Sequence, residues 1–89
     1  MKAKKIKILI VDDHAIVRMG LTSTLETHPG LSVVGEADDG KSALKKAEEL
    51  SPDVVLMDLM MPGVDGAEAT AELHRRFPDM KILILTTYG

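Results

Sequence analysis

Residues 8–13 read ILIVDD and residues 54–58 read VVLMD, so two short aliphatic runs each end directly in aspartate. Continuous aliphatic runs of this length are typical of parallel strands that are covered on both faces. Because parallel strands end at one edge of a sheet, Asp12, Asp13 and Asp58 are predicted to lie close together. Three neighbouring carboxylates repel one another unless a cation or a proton joins them. The two runs therefore predict a parallel sheet and a site for a divalent metal and a phosphoryl group.

Strand and helix patterns alternate along the rest of the chain. Strands separated by single helices with short connections indicate right-handed βαβ units, and hence a doubly wound α/β fold with a parallel sheet. The predicted strands cover residues 6–11, 32–37, 54–58 and 81–86, and the predicted helices cover 15–27, 41–50 and 66–77, the last capped by Asp65.

The composition of the 89 residues fits one small globular domain and excludes several classes of function. Net charge is −3 and aromatic residues make up 2%, so neither a basic footprint nor stacking platforms for direct nucleic-acid binding are present. The chain has no cysteine, which excludes disulfides and thiolate metal sites and fits a cytoplasmic location. No segment has the length and hydropathy of a membrane span or a secretory signal, so no membrane partner is expected.

The aspartates have the chemistry of a magnesium and phosphate site. Mg²⁺ takes one or two carboxylates, keeps several waters and shares phosphate oxygens, and a carboxylate beside it can become a nucleophile that forms an aspartyl phosphate. Thr86 is predicted at the same edge, with its hydroxyl within reach of a phosphate oxygen; the alternative is an ordinary β-branched strand residue. Asp13 has a possible second role as the cap of the first helix, alone or together with metal binding. The three histidines show no metal-ligand spacing: His14, His28 and His74.

Three motifs together resemble a bacterial two-component response-regulator receiver domain: VDDH at 11–14, LMDLMMPGVDG at 56–66 and LILT at 83–86. Arg18 with Gly20 and Leu21, and VVGEA at 33–37, resemble the narrower group of NarL/FixJ-type regulators. The resemblance covers essentially the whole chain. It implies a flavodoxin-like, CheY-like fold with strand order 2-1-3-4.

The resemblance also implies a role for each matching position. Asp58 matches the phosphoacceptor, Asp13 a direct Mg²⁺ ligand and Asp12 an acidic partner that acts through water. Met60 would offer its backbone carbonyl to the metal, and Thr86 would move toward the phosphoryl oxygen on activation. The implied donor is a phosphohistidine on a sensor histidine kinase. No enzyme activity is implied beyond self-phosphorylation and autodephosphorylation at Asp58.

The sequence departs from the family where it ends, at Gly89. Receiver domains continue with a helix, a fifth strand and a last helix, so residues 1–89 are expected to be a truncated receiver without the family's phosphate-binding lysine. Weak Mg²⁺ binding and slow or undetectable phosphorylation are therefore expected. The parent would control transcription through a C-terminal helix-turn-helix domain, which this chain does not contain.

Two other functions remain open on the sequence. The first is a receiver-derived structural module that self-associates through the apolar fourth strand, residues 82–85, or through a bare sheet face over the first and third strands. The second is a metal-dependent phosphohydrolase, which would need an independent general acid or base that the sequence does not show.

Overall fold

The computed structural model describes residues 4–59 and 66–85, through which helices and strands alternate. This alternation confirms the α/β pattern predicted from the sequence. The elements are β1 (Ile6–Val11), α1 (Ala15–Leu25), β2 (Leu31–Ala37), α2 (Gly40–Leu50), β3 (Val54–Asp58), α3 (Gly66–Arg76) and β4 (Lys81–Leu85).

The four strands form one parallel sheet in the order β2-β1-β3-β4. The predicted strand order 2-1-3-4 is therefore confirmed. The chain proceeds from β1 to β2 on one side and from β3 to β4 on the other, so the strand order reverses between β1 and β3. At their carboxyl ends Val11 pairs with Met57. The reversal point consequently brings the residues that follow β1 beside the last residue of β3, where ligands bind in open α/β sheets.

Helices α2 and α3 cover one face of the sheet with small side chains. Ala43 and Ala47 of α2 and Ala69 of α3 are buried against Leu9 of β1 in one core cluster. Alanine lets the two helices approach the sheet closely, and Leu73 of α3 fills the remaining space with a fully buried side chain. This packing fixes β1 and β3 from the α2–α3 side.

Helix α1 covers the other face. Ile8, Ile10 and Leu56 are each more than nine-tenths buried there, with Leu21 and Leu25 of α1 packed against them. The expectation of a bare face over β1 and β3 is therefore wrong at these positions, because α1 and neighbouring aliphatic side chains cover them. Among the described residues, the large apolar side chains that are exposed lie on β4, on α1, at the start of β1 and just after β3: Leu83, Ile84, Ile16, Met19, Ile6 and Leu59.

Local signals explain where α2 begins and ends. The Asp39 carboxylate accepts a hydrogen bond of 2.7 Å from the Ser42 N–H, as an N-cap residue does. Ser51 adopts a left-handed backbone conformation, with φ of 47°, and ends the helix one residue before Pro52. The sequence located this helix to within one residue.

Four predicted boundaries differ from the structure, among them the start of α2 at Gly40 and the end of α3 at Arg76, each one residue earlier than predicted. Two predictions fall outside the described residues. Helix α1 ends at Leu25 rather than Thr27, because the Thr27 hydroxyl and backbone N–H both donate to the Thr24 carbonyl in a turn. Strand β2 begins one residue earlier than predicted, at Leu31. The predicted cap Asp65 and the last predicted residue of β4, Thr86, lie outside the described residues.

Candidate metal centre

Two carboxylates are fixed at the carboxyl edge of the sheet by the strands that carry them. Asp58 is the last residue of β3, and Asp12 directly follows β1, where its N–H donates to the Ala37 carbonyl of β2 at 3.0 Å. Both side chains are fully buried. Asp13, the next residue, remains partly exposed. The predicted convergence of Asp12, Asp13 and Asp58 is therefore observed.

The ligand atoms of Asp12, Asp13, His14 and Asp58 all lie within 4.8 Å of one another. Burying carboxylates this close together is unfavourable unless they are neutralised or hydrogen-bonded. Asp12 Oδ2 is buried and has no hydrogen-bond partner among the described residues. The donor set of hard carboxylate oxygens and the unused buried oxygen fit a divalent cation.

His14 is a member of this cluster that sequence reasoning missed. Its Nδ1 lies 2.9 Å from Asp12 Oδ1 and 3.0 Å from Asp13 Oδ1. The hydrogen bond to Asp12, followed by the charge of Asp13, raises the pKa of His14 above its usual value. Metal-ligand spacing within the sequence did not indicate it. The usable signal was position, because a histidine directly after two strand-end acids lies at the same edge.

The turn after β1 also decides between the two roles considered for Asp13. Its neighbour His14, not Asp13, is the N-cap residue of α1, and its side chain makes no capping hydrogen bond. The His14 N–H instead donates to Asp12 Oδ1 at 2.7 Å. The alternative in which Asp13 caps the helix is therefore wrong, and its carboxylate belongs to the acidic cluster.

Arg18 of α1 holds the acidic turn in place. Its Nη1 donates to the Asp12 carbonyl oxygen at 2.6 Å, and its Nε donates to Glu36 Oε1 at 3.0 Å. One side chain thus links α1 to the ends of β1 and β2. Because Asp12 and Asp13 lie within this linked turn, Arg18 is a positioning residue for the cluster.

The two remaining predicted site residues, Met60 and Thr86, lie outside the described residues. A cavity of about 540 Å³ lies at the opposite, amino ends of the strands, between Ile6, Val54 and Phe77. None of the clustered acids lines it. Among the described residues, none of the helices is both long and apolar enough to cross a bilayer.

Comparison with known proteins assigns the family. The sequence of residues 8–89 matches the family model of the response regulator receiver domain, and the chain belongs to this family. The chain is 52% identical over 83 residues to the transcriptional regulatory protein LiaR of Bacillus subtilis, covering 93% of this chain and 39% of LiaR. It spans about two fifths of the length of the curated relatives it matches.

Solved structures agree with this assignment. A LuxR-family two-component response regulator from an Aurantimonas species superposes with a TM-score of 0.89 at 41% identity, over 97% of this chain and 61% of that chain. RcsB of Salmonella enterica serovar Typhimurium, solved bound to promoter rprA in the presence of the phosphomimetic BeF3−, superposes with a TM-score of 0.87 at 32% identity. That match covers 97% of this chain and 44% of RcsB. The resemblance to receiver domains of NarL-type regulators is thereby confirmed.

Proposed function

We propose that this chain is the part of a response regulator that accepts a phosphoryl group on Asp58 from a sensor histidine kinase, with Mg²⁺ held by the neighbouring acids. The observation that carries the proposal is the convergence of Asp12, Asp13 and Asp58 at the reversal point of a receiver fold. A structural cap or turn would need neither three clustered acids nor the burial of two of them.

The residues have distinct roles in the proposed transfer. A carboxylate oxygen of Asp58 attacks phosphorus and forms the new O–P bond, while the P–N bond of the phosphohistidine breaks and its electron pair returns to the imidazole. Asp12, Asp13 and Asp58 would hold the cation, and Met60 and Thr86 would add the backbone carbonyl and the hydroxyl group that the family resemblance implies. Mg²⁺, when bound, supplies positive charge next to the transferred phosphoryl oxygens.

The phosphorylated form is proposed to act on transcription through another part of the parent protein. A phosphoryl group adds about 1.5 to 2 negative charges and new acceptor oxygens, which is sufficient to bias a two-state element. The proposal is supported by LiaR, named a transcriptional regulatory protein, and by RcsB, solved on promoter DNA. On this account, residues 1–89 lie within the receiver domain, act in the cytoplasm and do not contact DNA directly.

Intact-mass measurement tests the proposed transfer. The wild-type chain and an Asp58→Asn variant are incubated for long periods with Mg²⁺ and a small acyl phosphate. We expect the mass of one phosphoryl group to accumulate slowly, in keeping with the slow transfer expected from the sequence, on wild type only and only when Mg²⁺ is present. Equal adducts on both proteins would contradict the role of Asp58.

A second candidate function, self-association as a structural module, is favoured by one observation. Leu83 and Ile84 of β4 are 56% and 43% exposed, although strands of parallel sheets are normally covered. In this alternative the acidic cluster binds a cation without productive transfer. Absence of any adduct on wild type, with Mg²⁺ binding retained, would favour it.

A further inference from the structure

The His14 ring points toward the acidic cluster, although neither burial nor helix capping requires it to do so. Its side chain is 59% exposed, so burial does not force the ring against the acids. Its backbone is extended at φ of −100° and ψ of 111°, and the ring makes no capping hydrogen bond to α1. The ring instead lies with Nδ1 against both Asp12 and Asp13.

The contacts of Nδ1 are a hydrogen bond and an ion pair, and their lengths also equal the separation of neighbouring ligand atoms in a coordination shell. Ligand atoms about 2.1 Å from an octahedral cation are about 3.0 Å from their neighbours in the shell. His14 Nδ1 is 2.9 Å from Asp12 Oδ1 and 3.0 Å from Asp13 Oδ1. His14 Nδ1 is therefore close enough to the carboxylates of Asp12 and Asp13 to serve with them as a ligand of one cation. The buried Asp12 Oδ2, without a hydrogen-bond partner among residues 4–59 and 66–85, independently indicates that the cluster is built for a ligand.

Nitrogen is the wrong donor for a site specialised for Mg²⁺. Carboxylates and water suit Mg²⁺, whereas imidazole suits zinc and other late first-row metals, whose affinities also rise along that row. Adding one imidazole to a site of carboxylates therefore raises its affinity for Zn²⁺ and Co²⁺ relative to its affinity for Mg²⁺.

We propose that His14 is a metal ligand through Nδ1 and that it gives this site a preference for Zn²⁺ and Co²⁺ over Mg²⁺. The inference rests on the cation site of the proposed function and extends it to metal selection. It assigns a chemical role to the one member of the cluster that the receiver resemblance left without one.

The test compares His14→Ala with wild type, and His74→Ala serves as the matched control because His74 lies on the distant, exposed last turn of α3. Dissociation constants for Co²⁺, Zn²⁺ and Mg²⁺ are measured at one fixed pH. We expect His14→Ala to weaken Co²⁺ and Zn²⁺ binding relative to Mg²⁺ binding by about tenfold or more, since loss of even an outer-shell partner has effects of this size. His74→Ala should leave the ratio unchanged.

A spectroscopic readout separates ligation from a general effect on the cluster. In protein labelled with ¹⁵N at histidine, Zn²⁺ should shift the Nδ1 resonance of His14 and leave that of His74 in place. An unchanged affinity ratio in His14→Ala, or an unshifted Nδ1 resonance with Zn²⁺ bound, would overturn the inference. Either result would leave the proposed transfer to Asp58 intact, since transfer is judged separately by the Mg²⁺-dependent adduct.

Discussion

At the scale of single residues, Asp12 shows how the site accommodates its own charge. A buried carboxylate is costly unless hydrogen bonds or counter-charges compensate it. Asp12 Oδ1 accepts hydrogen bonds from the backbone N–H and the ring Nδ1 of His14, and Arg18 contacts the Asp12 carbonyl. These contacts hold the acidic turn in one conformation, and Asp12 Oδ2 remains available for a cation.

Gly66 is required by a close approach of α3 to the end of β3. A Cβ atom at this position would lie 2.7 Å from the Asp58 carbonyl oxygen and 2.9 Å from the Leu59 Cα. Both contacts are with backbone, so Gly66→Ala should displace the end of β3. We expect a loss of about 1 to 3 kcal/mol in the free energy of unfolding, measured with urea, together with weaker Mg²⁺ binding.

Gly20→Ala is the matched control for this substitution. Gly20 lies in the interior of α1, and a Cβ there meets no atom within 4 Å. Alanine should therefore stabilise the helix by about 0.5 to 1 kcal/mol. Equal effects of the two substitutions would show that the close approach at Gly66 does not exist.

At the scale of elements, the sequence predicted the bounds of strands and helices best where an aliphatic run forms a buried element. The bounds of β1 and β3 were predicted from aliphatic runs that end in aspartate. These bounds in turn predicted that Asp12, Asp13 and Asp58 converge at the carboxyl ends of the strands. Chain turns were less predictable, since the end of α1 depends on the hydrogen bonds of Thr27. His14 was missed because its place in the cluster follows from its position directly after Asp12 and Asp13, and not from metal-ligand spacing among the histidines.

Helix α3 has an ion pair whose effect on stability depends on pH. Arg75 donates to both carboxylate oxygens of Glu72, at 2.8 and 2.9 Å, and this contact lowers the Glu72 pKa below its ordinary 4.5. A lowered pKa contributes stability above the ordinary value, and that contribution is lost as pH falls through the lowered value. The pair is exposed, so the effect is small.

Thermal unfolding of Glu72→Gln checks this dependence. The variant should unfold at a slightly lower temperature than wild type near neutral pH, and the difference should vanish in acid below the lowered pKa. A difference that grows as the pH falls would contradict the assigned sign.

At the scale of the whole molecule, the two faces of the sheet are covered unequally. Among the described residues, helices α2 and α3 bury one core, whereas on the other side α1 packs together with aliphatic side chains of the strands and leaves its own Ile16 83% exposed. The apolar exposure on β4 lies along the edge of the described sheet. Exposed strand edges of this kind pair readily with other chains.

The 89-residue chain is therefore expected to self-associate through β4 at micromolar concentration. Leu83→Lys should shift it toward monomer in sedimentation equilibrium, because a lysine opposes edge-to-edge pairing. Ile16→Lys, which removes an even more exposed apolar side chain on α1, should leave association unchanged. A stable wild-type monomer, or a monomer produced only by Ile16→Lys, would argue against β4 as the contact.

The central claim, that the clustered acids make Asp58 a phosphoacceptor, is tested most directly by locating the phosphoryl group. After incubation with Mg²⁺ and an acyl phosphate, borohydride reduction converts an aspartyl phosphate to homoserine, which peptide mass spectrometry locates. We expect homoserine at position 58 and nowhere else, and none when Mg²⁺ is chelated. Homoserine at position 12 or 13, or a phosphoryl group retained on a histidine, would contradict it.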